Sequence, residues 1–352
     1  MRPKRIFFPV ASIINIFIIF ILFTLNVKSD ENKIKSYAND KGILSIMYHR
    51  FNENKYPSTN IRMEVFKKHM EIIKKKKYNF LDPNDFDKNF SKVKTNKTVL
   101  ITIDDGFKSF YEHAWPYLKK HKIPFILFIS TEAVGKNGYM NWGQIKEIES
   151  ESFAFIGNHS HSHEYLLDIS YNNFQNDILK SIEIFIKNLG YNPIFFSYPF
   201  GEFSLEHTSF IKKYFKYGFG QHSGVIDVNK NPYELPRFPI NEKYGNLKRF
   251  EFNIDLLPLE YKKVIPENKY ITNNNPPNLQ IEFFENQKNL ENINCFSDEG
   301  IGWKKTDIKL NNSKLFVNFS DKFNFRRGRI NCSLNDTDGW RWFGLQFSVK
   351  LD

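Results

Sequence analysis

The sequence predicts an α/β barrel or sheet followed by a small β-sandwich-like domain. Three features carry that expectation. Short apolar runs alternate with helical periodicity from Ile43 to about residue 240, the pattern of parallel strands joined by helices. Residues 263–278 then dissolve into Lys, Asn, Glu and Pro, including Asn273-Asn274-Asn275-Pro276-Pro277, which reads as a linker. Beyond it, residues 279–352 show strand-like alternation such as Lys314-Leu315-Phe316-Val317-Asn318-Phe319, broken by Asn, Asp and Gly turns.

The N-terminus comes first in the chain order. Arg2, Lys4 and Arg5 precede an almost uncharged run from Ile6 to Val27, so residues 1–29 are expected to be a signal peptide or a membrane anchor. Either implies export, to the periplasm, the cell envelope or the medium; the anchor would fix the protein in the inner membrane. The expected strands are 43–48, 98–103, 125–129, 153–156, 194–198 and 217–220. The clearest helix spans 171–189, where Phe174, Ile178, Ile182, Phe185 and Leu189 recur every three or four residues and Gly190 supplies the stop. The catalytic unit is placed at 43–262. In the C-terminal unit, Trp340-Arg341-Trp342-Phe343-Gly344 is read either as core or as a sugar-stacking surface.

Composition narrows the function. The net charge of +11 is scattered over surface Lys rather than gathered with aromatic or Gly motifs, so no nucleic-acid partner is expected. The two cysteines, Cys295 and Cys332, are expected to pair if the chain is exported, the alternative being two buried thiols.

The chemistry gathers where strands end. In α/β folds the loops at the carboxyl ends of the strands carry the site. Thr98-Val99-Leu100-Ile101-Thr102-Ile103 stops abruptly at Asp104-Asp105-Gly106, which taken alone is also a turn with a helix N-cap. Phe155-Ile156-Gly157 is followed by His159-Ser160-His161-Ser162-His163. His159 and His163, four apart, are expected to face one way on a helical turn and hold a metal, with His161 pointing elsewhere. Imidazole with carboxylate suits Zn²⁺ or another first-row divalent cation, Co²⁺, Ni²⁺ or Fe²⁺.

These two motifs resemble those of the family 4 carbohydrate esterases, the polysaccharide deacetylases with the NodB homology domain. Thr102-Ile103-Asp104-Asp105-Gly106 is similar to the family's Thr-Phe-Asp-Asp-Gly, and His159-Ser160-His161-Ser162-His163 to its His-Ser/Thr-x-x-His. Met47-Tyr48-His49-Arg50 also looks like the opening of exported members acting on poly-N-acetylglucosamine. The resemblance implies a NodB-type distorted (β/α) barrel, an N-acetylated polysaccharide as partner, Asp104 as catalytic base, and Asp105, His159 and His163 as metal ligands. It also implies that Ser197-Tyr198-Pro199-Phe200-Gly201 stands for the family's Arg-x-Pro-Tyr-Gly, with the Phe200 N–H as oxyanion donor and Tyr198 beside substrate. The Arg of that motif is missing, and Arg237 is the candidate to replace it. The family's Leu-x-x-His general acid has no clear match. His222, just after an expected strand, is its substitute; the role of His49 is open, and Trp142 is a candidate sugar-stacking residue. Two other functions fit the same motifs: a non-catalytic glycan-binding protein on this scaffold, and a hydrolase of small amides.

Overall fold

The computed structural model describes residues 42–87, 97–285 and 287–350. Residues 1–29 lie outside these, and among the described residues no helix is long and apolar enough to cross a membrane.

Six parallel strands pair in chain order: β1 (Ile43–Tyr48), β2 (Thr98–Ile103), β3 (Phe125–Ile129), β4 (Ala154–Asn158), β5 (Phe195–Ser197) and β6 (Tyr217–Phe219). Every residue of β1, β2 and β3 is buried, as expected where both faces of a parallel sheet are covered. After β6 the chain returns to the first strand. Leu235 bridges Phe219, and Phe238–Pro239 pairs in parallel with Ile46 and Met47. The segment 235–239 thus closes the sheet into a distorted barrel.

Among the helices packed outside are α1 (Met63–Lys75), α2 (Trp142–Glu149) and α3 (Tyr171–Leu189). Helix α3 has the expected bounds because its signals are local. The Ser170 hydroxyl accepts from the Asn173 N–H at 3.2 Å, Phe174, Ile178, Ile182 and Phe185 face the core, and Gly190 ends the helix in the left-handed conformation.

Two buried histidines are expected to make this fold acid-sensitive. His69 on α1 pairs with the Tyr48 hydroxyl at 3.0 Å and the Gly245 carbonyl at 2.8 Å, and it stacks on Phe250. His207 pairs with the Ser204 hydroxyl and the Leu166 carbonyl. Burial pushes both rings down to about 4, against roughly 6.5 in an unfolded chain. Between those values the unfolded state binds more protons. The stabilisation is therefore complete above about 6.5 and lost as pH falls toward about 4, on the order of 3 kcal/mol for each ring. The urea midpoint is expected to drop clearly between pH 7 and pH 5; a flat profile would mean that these rings titrate normally.

The C-terminal unit consists of two sheets over a shared core. One orders Leu257–Pro258, β8 (Gly339–Val349), β7 (Arg327–Asp336), Asn294–Asp298 and Trp303–Lys305, and Tyr270–Ile271 also pairs with β8. The other orders Lys263–Ile265, Leu279–Glu282, Lys314–Asn318 and Asp307–Asn311. Cys295 and Cys332 are directly opposite each other on adjacent strands and form a disulfide.

Residues 263–278, expected as a linker, include two short strands. Lys263–Ile265 and Tyr270–Ile271 are strands of the two sheets, and Leu257–Pro258 already pairs with Arg341 and Trp342. Strands of two or three residues are too short to show a period, so Lys, Asn and Pro dominate the reading of this stretch. The Trp340–Trp342 cluster also divides. Arg341 is fully buried against Asp336 and the Pro258 carbonyl. Trp342 donates to the Ser223 hydroxyl on the barrel at 3.1 Å, and Trp340 is 43% exposed beside Phe252.

Candidate metal centre and active site

Strand β2 delivers its two carboxylates by ending in a tight turn. The Asp104 N–H bonds to the Tyr48 carbonyl on β1 at 2.9 Å, and Asp105 and Gly106 both take positive φ, 76° and 74°. The two neighbouring carboxylates consequently enter different surroundings.

Strand β4 delivers the histidines on an irregular loop, not the helical turn expected. Ser160 and His163 have φ of 67° and 56°, and helix α3 braces the loop from behind. Asp177 accepts the N–H groups of His161 and Ser162, both at 2.9 Å, while the Ser181 hydroxyl donates to the Ser160 carbonyl at 3.1 Å. His161 turns away to the Thr131 hydroxyl.

Asp105, His159 and His163 converge, with one donor atom from each lying within 4.8 Å of the others. The fit to a cation follows from their hydrogen bonding. His159 Nδ1 lies 2.7 Å from the Ser197 carbonyl, an acceptor, so Nδ1 carries the proton and Nε2 presents a lone pair. That lone pair faces Asp105 Oδ1 at 3.3 Å, and His163 Nε2 approaches the same oxygen at 3.1 Å. Asp105 Oδ1 and His159 Nε2 are buried without a hydrogen-bond partner. Two acceptors face each other favourably only when a proton or a cation lies between them, and a carboxylate with two imidazoles is a donor set for a first-row divalent ion.

Asp104 has a different partner. Arg237, fully buried on the segment that closes the barrel, forks onto it with Nη1 to Oδ1 at 2.7 Å and Nη2 to Oδ2 at 2.8 Å. The guanidinium is itself fixed by the Gly220 carbonyl, the Thr102 hydroxyl and the Ser197 hydroxyl. Ser197 stands where the family motif has Arg; its hydroxyl lies between Asp104 and Arg237, touching both. Burial would raise the Asp104 carboxyl, but Arg237 and His159 outweigh it and hold the group below the usual carboxylate range. The imidazoles of His159 and His163 push Asp105 the same way, again against burial.

The remaining expected residues separate. Phe200 lies in a turn with φ of 58°, followed by Gly201 at 69°, where an added Cβ would meet the Gln221 backbone N at 2.5 Å. Its ring sits edge-on to His163 and stacks on Tyr165. Tyr198, expected beside substrate, is instead buried between Phe196 and Phe203. Trp142 opens α2 and packs edge-on to Phe185 of α3. His222 lines a cavity of about 80 Å³ between barrel and β unit, with Asp227, Glu234, Lys269 and Trp342, and burial with Lys269 and Arg237 pushes it down to about 4. The imidazole that joins the group is His49. Its Nδ1 is buried without a partner, and burial lowers it while Asp105 and Asp104 pull it up. Its position directly after β1 was the available signal.

The barrel is similar to known proteins in sequence and fold. Residues 91–218 match the family model for polysaccharide deacetylase. A poly-beta-1,6-N-acetyl-D-glucosamine N-deacetylase from Staphylococcus aureus strain MSSA476 is 27% identical over 243 residues, covering 60% of this chain and 83% of that protein. Among solved structures, a Streptococcus pyogenes deacetylase is similar at a TM-score of 0.53 and 22% identity, over 58% of this chain and 94% of that one. IcaB from Ammonifex degensii is similar at a TM-score of 0.53 and 22% identity, over 61% and 97%. These structures share the NodB-type fold of the barrel.

Proposed function

We propose that this chain, which carries a polysaccharide deacetylase domain, is an exported metal-dependent hydrolase that removes N-acetyl groups from an extracytoplasmic glycan of the poly-N-acetylglucosamine type. The observation that carries the reading is the pairing of a three-donor set, Asp105, His159 and His163, with a carboxylate, Asp104, held ionised by a buried guanidinium. The deacetylase of Staphylococcus aureus supports the glycan class. The apolar N-terminal run and the Cys295–Cys332 disulfide support an oxidising compartment.

Asp105, His159 and His163 would hold the cation, with zinc the first candidate for a mixed imidazole and carboxylate set. When bound, such an ion supplies Lewis acidity toward the acetamide carbonyl and makes water more acidic. The chain supplies the rest. Asp104, ionised and oriented by Arg237, takes the proton from the attacking water. The Phe200 N–H donates to the carbonyl oxygen as it gains charge. His49 protonates the departing sugar amine; burial holds its ring below the usual imidazole value, with Asp105 and Asp104 opposing that shift, so once charged it gives up its proton readily. Two aromatic pairs could stack on sugar rings: Phe107 with Tyr139, and Phe200 with Tyr165, each beside a guanidinium, Arg50 and Arg326. Arg237 and His49 fill the two gaps that favoured glycan binding without catalysis.

The test is acetate release from N-acetylglucosamine oligomers by the purified protein. Chelator is expected to abolish release, and added zinc or cobalt to restore it. Oligomer binding without metal-restored release would overturn the reading.

A further inference from the structure

The C-terminal β unit reaches the catalytic barrel at the turn that carries the oxyanion donor. Gln346 on β8 is 5% exposed, and its Nε2 donates to the carbonyls of Phe200 at 3.0 Å and Gly201 at 3.2 Å. The other end of that amide accepts from Arg329 Nε at 3.3 Å, across the β7–β8 pair. Arg329 therefore orients the amide so that its donor end faces the turn. On one flank, Arg326 Nε lies 2.9 Å from both Glu202 carboxylate oxygens, and its guanidinium covers Tyr165, which stacks on Phe200. On the other flank the strand is pressed so close to the barrel that a Cβ on Gly344 would come within 2.1 Å of the Ser223 carbonyl.

The turn needs this support. Phe200 and Gly201 are successive residues with positive φ, a conformation that costs a residue with a side chain and persists only where its surroundings impose it. Gln346 grips the carbonyls on both sides of Gly201 and so fixes the backbone that aims the Phe200 N–H.

We propose that Gln346 is a positioning residue for the oxyanion turn, and that the C-terminal β unit is thereby part of the catalytic apparatus and not a separable appendage. This rests on the reading of Phe200 N–H as oxyanion donor given above.

The test uses the full chain, zinc-loaded, as wild type, Gln346→Ala and the isosteric Gln346→Glu, which keeps the volume and loses the donor. Hydrogen exchange of the peptide covering 198–203 reads positioning without reference to turnover. Exchange there is expected to quicken at least about tenfold in both variants, with zinc content unchanged. On N-acetylglucosamine oligomers, kcat is expected to fall about ten- to hundredfold, the range for a misplaced oxyanion donor, with KM within about twofold. Unchanged exchange in the folded Glu variant overturns the proposal, and so does faster exchange with unchanged kcat. A wild type without deacetylase activity would sink the functional reading, while the exchange arm would still decide whether Gln346 holds the turn.

Discussion

Arg237→Leu is expected to destabilise the fold by about 3–5 kcal/mol, because it strands a fully buried carboxylate without its partner. It is also expected to move the acidic limb of the activity profile upward in pH. In the wild type, Arg237 and His159 overcome the burial that would raise Asp104. Without the guanidinium the carboxyl rises, although His159 and His49 still oppose burial, so less of the base is ionised as pH falls. Activity at pH 7 should fall more than activity at pH 9. The sign for stability agrees: a carboxyl held low in the folded state stabilises above its unfolded pKa, and that contribution disappears as pH falls through the folded value. Adding Asp104→Asn removes the stranded charge, so the double variant is expected to be more stable than Arg237→Leu alone. Additive losses in that cycle would show that the pair is not coupled.

Removing a ligand and removing the base should fail in different ways. Asp105→Ala and His159→Ala are each expected to lose metal retention and activity together, since each takes one of three donors from the set. Asp104→Asn keeps all three donors and is expected to retain the metal while turnover falls about 10²–10⁴-fold, the usual worth of general base catalysis. Metal content by elemental analysis, beside acetate release, separates the two classes. A fully active Asp104→Asn would remove Asp104 from the base role. Metal retained at full occupancy by His159→Ala would mean that the ion binds elsewhere.

The readable part of this protein was carried by contiguous residues. Helix α3 has its expected bounds because its cap, its apolar stripe and its terminal glycine lie within one stretch of chain. Asp104-Asp105 and His159-x-x-x-His163 stood out because each sits directly after an apolar run that ends in polar residues, and the barrel gathers strand ends at one face. Short or distributed signals were harder to read. The 263–278 linker hid strands of two or three residues. Motif position points Tyr198 toward substrate, whereas the residue just after the strand is buried between Phe196 and Phe203.

By itself, the sequence determined the parallel-strand architecture, the residue types of the candidate metal set and the helix behind them, because propensity, periodicity and motif spacing act over short distances. Only the tertiary structure decided which residues complete the site. Arg237 reaches Asp104 across 133 positions because the 235–239 segment closes the barrel. His49 joins the carboxylates because β1 lies beside β2, and Gln346 meets the Phe200 turn because β8 packs on the barrel. Such contacts depend on closure and packing, which no local pattern encodes.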